Sequence, residues 1–161
     1  MIAKNDKSYI SLSEQLRKHS VTREYIALVY DNIKDDEFTI DKPIGRDTKN
    51  RIRRAVNGSN PKSAITHIKV LKRYGTYTLV RAVLETGRTH QIRVHMSYIK
   101  HPLVGDTLYG PKKSRVKIEG QILHAKTIGF IHPTTGKYME FDSEIPEYFK
   151  TALSKILKLE K

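Results

Sequence analysis

The segment from Thr76 to Leu84 constrains the fold more than any other part of the chain. Side chains alternate between the two faces of a strand, and here both faces include apolar residues. Tyr77, Leu79 and Val83 lie on one face, and Val80 and Ala82 lie on the other. A strand that is apolar on both faces is buried on both faces, so this segment predicts a central strand. A second β-rich run, 64–71, precedes it across Tyr74-Gly75, and the pair predicts a β-hairpin.

The remaining elements follow from periodicity and from turn residues. Apolar residues recur at helical spacing over 8–19, 90–99 and 146–158, which predicts three helices. Thr89 is the predicted N-cap of the second helix. Short β-rich runs predict further strands at 24–30, 38–40, 121–131 and 137–141. This order predicts one α+β domain over 1–161, with a mainly antiparallel mixed sheet flanked by helices.

Two basic segments interrupt this pattern. Residues 45–62 form the more basic one and close with Gly, Asn and Pro, which predicts a long exposed loop. Its cations are Arg46, Lys49, Arg51, Arg53 and Arg54. The second segment runs from Gly105 to Gly120 and contains Lys112, Lys113, Arg115 and Lys117. Each is either a solvated charge run or a surface that faces a polyanion.

The overall charge favours the second interpretation. The chain has 30 Lys and Arg against 17 Asp and Glu, a formal net charge of +13. Such an excess attracts nucleic acids, since cations that neutralise phosphates release counterions. The alternative is a basic protein without a nucleic-acid partner.

Several functional classes are excluded by what the 161 residues lack. There is no cysteine, so disulfides and thiol catalysis are excluded. No apolar run reaches membrane-spanning length, and a signal-peptide pattern is absent, which predicts a cytoplasmic protein. The histidines do not form a His-Glu-x-x-His pattern, and we therefore expect no metal site.

Two motifs indicate a family. Residues 85–96 read ETGRTHQIRVHM, and residues 101–110 read HPLVGDTLYG. Together with Thr22-Arg23-Glu24-Tyr25, Leu123-His124-Ala125 and 132–136 (HPTTG), they resemble the RluA-type RNA pseudouridine synthases over nearly the whole chain. The resemblance implies isomerisation of uridine to pseudouridine in ribosomal or transfer RNA. That reaction has no redox step, so no cofactor is expected.

The resemblance also implies residue roles. Tyr25 corresponds to a tyrosine that stacks on the target base, and Arg93 to an arginine that pairs with the catalytic aspartate and keeps it ionised. Arg88 is interpreted either as an RNA contact or as a structural residue. Asp106, which follows Gly105 in a loop, is interpreted as a turn residue rather than a nucleophile.

One feature of the family is not found between residues 1 and 161. Its catalytic aspartate stands in a His-Arg-Leu-Asp stretch before an apolar strand, and 1–6 (MIAKND) resembles the end of that strand. We therefore expect the nucleophile just before residue 1, no S4-like domain, and no activity of this chain alone. A sheet edge left open in this way could also lead to self-association. The rival hypotheses are an RNA-binding module without chemistry and a metal-dependent hydrolase built on the histidines.

Overall fold

The computed structural model describes residues 1–113, 116 and 118–159. Within these residues the chain forms three helices and nine strands. In chain order they are α1 (Asp6–Arg17), β1 (Thr22–Tyr30), β2 (Glu37–Asp41), β3 (Ile44–Arg46), β4 (Arg54–Val56), β5 (Ser59–Lys62), β6 (Ile65–Tyr74), β7 (Tyr77–Leu84), α2 (Gln91–Tyr98), β8 (Leu123–Ile131), β9 (Tyr138–Asp142) and α3 (Glu147–Leu159). None of the described helices is both long and apolar enough to cross a membrane.

Six of the strands form one sheet in the order β2-β6-β7-β1-β8-β9. Each described pair in it is antiparallel. The segment that the alternation predicted to be central, β7, lies between β6 and β1. The predicted hairpin closes at the Tyr74–Tyr77 pair. The predicted α+β class and the mainly antiparallel sheet are confirmed.

The two faces of this sheet bury two different apolar clusters, because side chains alternate along each strand. On one face, Ala27, Val29 and Val80 pack with Ile92 and Met96 of α2. On the opposite face, Leu28 and Tyr77 pack with Phe149 and Ile156 of α3. Each helix therefore covers one side of the central strands.

The prediction of a long loop over 45–62 was wrong. This stretch forms a second, three-stranded antiparallel sheet in the order β4-β3-β5. A Cβ at Gly45 would lie 2.5 Å from the carbonyl oxygen of Ser59, so the close approach of β3 and β5 requires glycine there. Ile44 packs against Val94 of α2 and Tyr109. Tertiary packing thus stabilises short strands whose polar sequence shows no alternation.

The start of α2 also differs from the prediction. Its N-cap is His90, in the left-handed region at φ 59°, and not Thr89. No side chain caps the first N–H groups of this helix. The turn is held instead by the Gln91 side chain, which accepts hydrogen bonds from the Arg88 N–H at 2.9 Å and from the Thr86 hydroxyl at 2.8 Å. The other predicted helices and strands shift by a few residues at their ends. Arg115 and Lys117 of the second basic segment lie outside the described residues.

Candidate active site

Arg93 is held by Asp106 through two parallel hydrogen bonds. The Nε of Arg93 donates to Oδ2 at 2.7 Å and Nη2 donates to Oδ1 at 2.7 Å. The Arg93 side chain is 14% exposed and the Asp106 side chain is 0% exposed. The Oδ1 of Asp106 also accepts the N–H groups of Leu108 and Tyr109. Arg93 therefore projects from α2 in one orientation, set by a loop that follows the helix.

Both members of this pair are charged. Burial raises the pKa of Asp106, but the hydrogen bonds from Arg93 and from two backbone N–H groups outweigh burial and leave the pKa below its usual value. The hydrogen bond to Asp106 raises the pKa of Arg93. Asp106 has no exposed side-chain surface and receives four donors. The interpretation that it is not a nucleophile stays a prediction.

Tyr109 joins Arg93 to the small sheet. Two guanidinium groups lie over its ring, with the Cζ of Arg93 at 5.0 Å and that of Arg53 at 5.2 Å from the ring centroid. These distances are typical of cation–π contacts. The Tyr109 hydroxyl accepts the Arg54 N–H at 2.8 Å and lies 2.9 Å from Nδ1 of His90.

Burial and a neighbouring charge determine the state of His90. The direction of its hydrogen bond with the Tyr109 hydroxyl depends on the His90 tautomer. Burial lowers the pKa of His90, and the charge of Arg93 lowers it further. Burial raises the pKa of the Tyr109 phenol. A neutral imidazole and a neutral phenol therefore lie beside the charged pair at neutral pH.

Two buried polar residues fix α2 against β6. Gln91 donates to the Ile65 carbonyl at 2.9 Å and to the Thr66 hydroxyl at 3.0 Å. His95 is fully buried, with Nε2 at 2.9 Å from the Lys42 carbonyl and Nδ1 at 2.8 Å from the Thr66 hydroxyl. The histidines of α2 thus act in hydrogen bonding. No group of metal ligands occurs among the residues that the structure describes.

Tyr25 lies on the same face of the large sheet as α2. It is partly buried against the cluster that contains Ile92 and Met96. Its neighbours across the sheet are Ala82 on β7 and Ala125 on β8. The ring thus stands between two small side chains, next to an irregularity in the β1–β8 register between Glu24 and Tyr25.

Arg23 lies near the start of β1, and Arg88 lies in the turn before α2. Arg23 donates to the Glu85 carbonyl at 3.1 Å, and Arg88 donates to the Ser63 carbonyl at 2.9 Å. Burial lowers the pKa of Arg23, and the charge of Arg88 lowers it further. The Nε of Arg23 is buried without a hydrogen-bond partner among the described residues. The two cations thus lie close enough to repel each other.

The structure brings together only some of the basic residues that the sequence singled out. Arg46, Arg54 and Arg88 line one groove, which Lys62 also borders. Arg53 stacks on Tyr109. The others, Lys49, Arg51, Lys112 and Lys113, are exposed and do not line that groove.

Sequence reasoning missed five residues of this region: Asp106 as the partner of Arg93, and Tyr109, His90, Arg23 and Lys62. Asp106 and Tyr109 both stand in the HPLVGDTLYG motif, three positions apart. The motif was therefore visible, but the identity of the side chains that it contacts was not.

Comparison with known proteins shows the family. The sequence pattern of the RNA pseudouridylate synthase family matches residues 1–98, and the chain belongs to that family. Among its relatives is the uncharacterized RNA pseudouridine synthase YlyB of Bacillus subtilis, 52% identical over 147 residues, covering 91% of this chain and 48% of that protein. Ribosomal large subunit pseudouridine synthase D of Vibrio cholerae is 40% identical over 159 residues, covering 91% and 48%.

A solved structure shows the same fold. Human RNA pseudouridylate synthase domain containing 1 superposes with a TM-score of 0.78 at 32% identity, covering 89% of this chain and 62% of the human one. The chain spans about half the length of the curated relatives it matches.

Proposed function

We propose that this chain forms the part of an RNA pseudouridine synthase that receives the target uridine and aims the nucleophile. The observation that carries the proposal is the orientation of Arg93, fixed by Asp106 on the face of the sheet that also holds Tyr25. The family to which the chain belongs supports the reaction class.

The reaction is an isomerisation. The bond from N1 of the base to C1′ of the ribose breaks, the uracil turns, C5 bonds to C1′, C5 loses its proton, and N1 takes up a proton. A carboxylate acts on the ribose or the base as nucleophile or as general base. The uridine must first leave its stack and enter a pocket. No electron is gained or lost, and the proposal therefore requires no cofactor.

Arg93 is suited to hold that carboxylate. Nε and Nη2 of Arg93 donate hydrogen bonds to Asp106, whereas Nη1 of Arg93 forms no hydrogen bond with any described residue. A second carboxylate that approaches Nη1 would gain a charge-assisted hydrogen bond and would stay ionised. In this proposal Asp106 orients Arg93, and Arg93 orients the nucleophile.

We further propose that the nucleophile lies outside residues 1–161. Asp106 is buried and fully occupied by donors. Glu24, beside Tyr25 in the sequence, pairs with Arg81 and alternates to the other face of β1. The resemblance assigns the role to an aspartate in a His-Arg-Leu-Asp stretch. Residues 1–161 alone would then bind RNA without turning it over.

Tyr25 is the proposed platform for the flipped base. A half-buried aromatic ring between Ala82 and Ala125 offers a flat surface for stacking. The proposed RNA contacts are the cations Arg46, Lys49, Arg51, Arg53, Arg54, Arg88, Lys112 and Lys113. Ribosomal RNA is favoured over transfer RNA because several relatives are named ribosomal large subunit pseudouridine synthases. A cytoplasmic location is proposed on the same ground.

Self-association is the last part of the proposal. The outer strand β9 pairs on one side with β8 and carries the exposed side chains of Tyr138 and Phe141. An edge strand with exposed apolar residues can pair with another chain.

A tritium-release assay on RNA labelled at C5 of uridine tests the catalytic proposal. We expect no release by residues 1–161, release by a protein extended upstream through the His-Arg-Leu-Asp stretch, and almost none by that longer protein with Arg93→Ala. Release by residues 1–161 alone would contradict the assignment of the nucleophile. RNA binding without release by the longer protein would support the rival hypothesis of a non-catalytic RNA-binding module.

A further inference from the structure

A groove of about 680 Å³ separates the small sheet from the turn that precedes α2. Four cationic side chains line it, from both sides: Arg46, Arg54 and Lys62 from the sheet, and Arg88 from the turn. No carboxylate lines it. All the charged residues of this concave surface are therefore cationic, which is typical of sites for anions.

The sheet places two of these cations against each other. Arg46 on β3 and Arg54 on β4 are direct partners in the antiparallel register. Like charges at directly opposed positions destabilise a strand pair. The side chains of Arg46, Arg54 and Lys62 form no ion pair or hydrogen bond with any described residue. The fold thus holds repelling charges together without an internal counterion.

Two residues with unpaired backbone donors also line the groove. The N–H groups of Gly87 and Thr89 donate no hydrogen bond within the described chain. The Arg88 N–H, which lies between them in the sequence, donates to the Gln91 side chain, and this hydrogen bond holds the turn in place. Unpaired backbone N–H groups in a turn carry a partial positive charge and are suited to bind anions.

The groove lies beside the strand that carries Tyr25. Arg23, two residues before Tyr25 on β1, lies against Gly87, where a Cβ would be 2.1 Å from Nη1 of Arg23. A nucleotide stacked on Tyr25 would thus have its own sugar-phosphate backbone near this turn.

From this arrangement we infer that the groove binds a phosphodiester of the RNA strand next to the target uridine. Guanidinium groups and backbone N–H groups recognise the non-bridging phosphate oxygens, and Lys62 adds a point charge. The inference rests on the proposed function for its ligand, but the site itself stands on the cations and donors of the groove. Lys62, Gly87 and Thr89 become ligand-binding residues in addition to the arginines.

Amide NMR on residues 1–161 tests the site without any catalytic step. We expect inorganic phosphate, and then the dinucleotide UpU, to shift the amide signals of Gly87 and Thr89 and the Nε–H signals of Arg46 and Arg54. UpU with a neutral methylphosphonate linkage is the matched control and should leave these signals in place. Equal shifts with the methylphosphonate, or with sodium chloride of the same ionic strength, would overturn the inference.

A pair of charge-matched variants tests the RNA contact. Lys62→Gln removes a cation from the groove, whereas Lys7→Gln removes an exposed cation from α1. We expect Lys62→Gln to reduce the slope of log affinity against log salt for single-stranded RNA by about 0.7, the value for one lost phosphate contact. Lys7→Gln should leave the slope unchanged. Amide spectra of both variants verify that they fold.

The outcomes separate this inference from the proposed function. If the longer protein releases tritium but Lys62→Gln behaves as Lys7→Gln does, the groove assignment is wrong and the catalytic proposal stands. If the longer protein releases no tritium while Gly87 and Thr89 respond to phosphate and UpU, the groove stands and the catalytic proposal fails.

Discussion

At the scale of single residues, the Arg93–Asp106 pair decides what the site can do. A lone guanidinium on α2 could point in several directions, but two hydrogen bonds of 2.7 Å to a buried carboxylate leave it one. In the proposed mechanism the carboxylate of Asp106 contributes orientation rather than reactivity. A buried ion pair of this kind is costly to break from one side, because the remaining charge stays desolvated.

Asp106→Asn is therefore expected to destabilise the protein. The amide keeps an oxygen for the Leu108 and Tyr109 N–H groups but leaves Arg93 without a counter-charge, which should cost about 3 kcal/mol in free energy of unfolding. Urea denaturation measures this loss. Asp142→Asn removes the exposed partner of Lys126 and is the control, with a much smaller expected effect. Equal losses for the two variants would show that the Arg93–Asp106 pair does not stabilise the fold.

The same pair predicts a pH dependence. The pKa of Asp106 lies below its ordinary value of 3.8 in the folded protein. The folded state therefore binds the proton less readily than the unfolded state, and the stability contributed by the carboxylate is present above pH 3.8 and lost as the pH falls through the lower, folded pKa. The difference in unfolding free energy between wild type and Asp106→Asn should thus narrow below pH 3.8. A difference that widens in acid would contradict the assignment.

Tyr109→Phe tests the hydrogen bonds of the Tyr109 hydroxyl separately from the packing of its ring. The ring and its contacts with Arg53 and Arg93 remain, but the Arg54 N–H and Nδ1 of His90 lose their partner, at a cost of about 1–3 kcal/mol. A hydroxyl that donates to Nδ1 stabilises the neutral imidazole, so its loss should also move the pKa of His90 upward. Nitrogen-15 NMR of the imidazole measures that pKa. An unchanged pKa would mean that the Tyr109 hydroxyl does not donate to His90.

At the scale of elements, the small sheet is the part whose existence depends most on tertiary contacts. Its strands have three or four residues each, too few for independent stability. Packing of Ile44 against Val94 and Tyr109 attaches the sheet to α2, and the Tyr109 hydroxyl binds the backbone of β4 at Arg54. The groove cations therefore reach their positions only when α2 and the loop after it are in place.

Gly45→Ala should disrupt this element alone. The added Cβ would lie 2.5 Å from the Ser59 carbonyl oxygen and 2.6 Å from the Gly58 backbone, so β3 must move away from β5. Amide hydrogen exchange should accelerate over 44–62 while β1 and β7 remain protected. Gly136→Ala adds a Cβ in open space and tests backbone strain without a clash, and it should leave 44–62 protected. Unchanged exchange over 44–62 in Gly45→Ala would contradict the close packing of β3 on β5.

At the scale of the whole molecule, charge and fold act together. A net charge of +13 attracts polyanions at long range, whereas the groove and the face that holds Tyr25 are the proposed contact surfaces for RNA. Affinity for a structured RNA should accordingly fall linearly with log salt concentration, as counterions compete with Lys and Arg for phosphates. Fluorescence anisotropy with a labelled RNA hairpin measures it. The same affinity at low and high salt would contradict an electrostatic mode of binding.

The sequence by itself determined the features that depend on short-range pattern. The apolar alternation of 76–84 indicated a central strand, helical spacing indicated α1, α2 and α3, and the two motifs indicated the family. Tertiary structure alone decided which groups meet. Asp106 reaches Arg93, Arg54 reaches Tyr109, and 45–62 becomes a sheet rather than a loop, because these contacts join segments whose separation along the chain carries no periodic signal. Periodicity reports which face of an element is buried, but only packing determines which side chain lies opposite it.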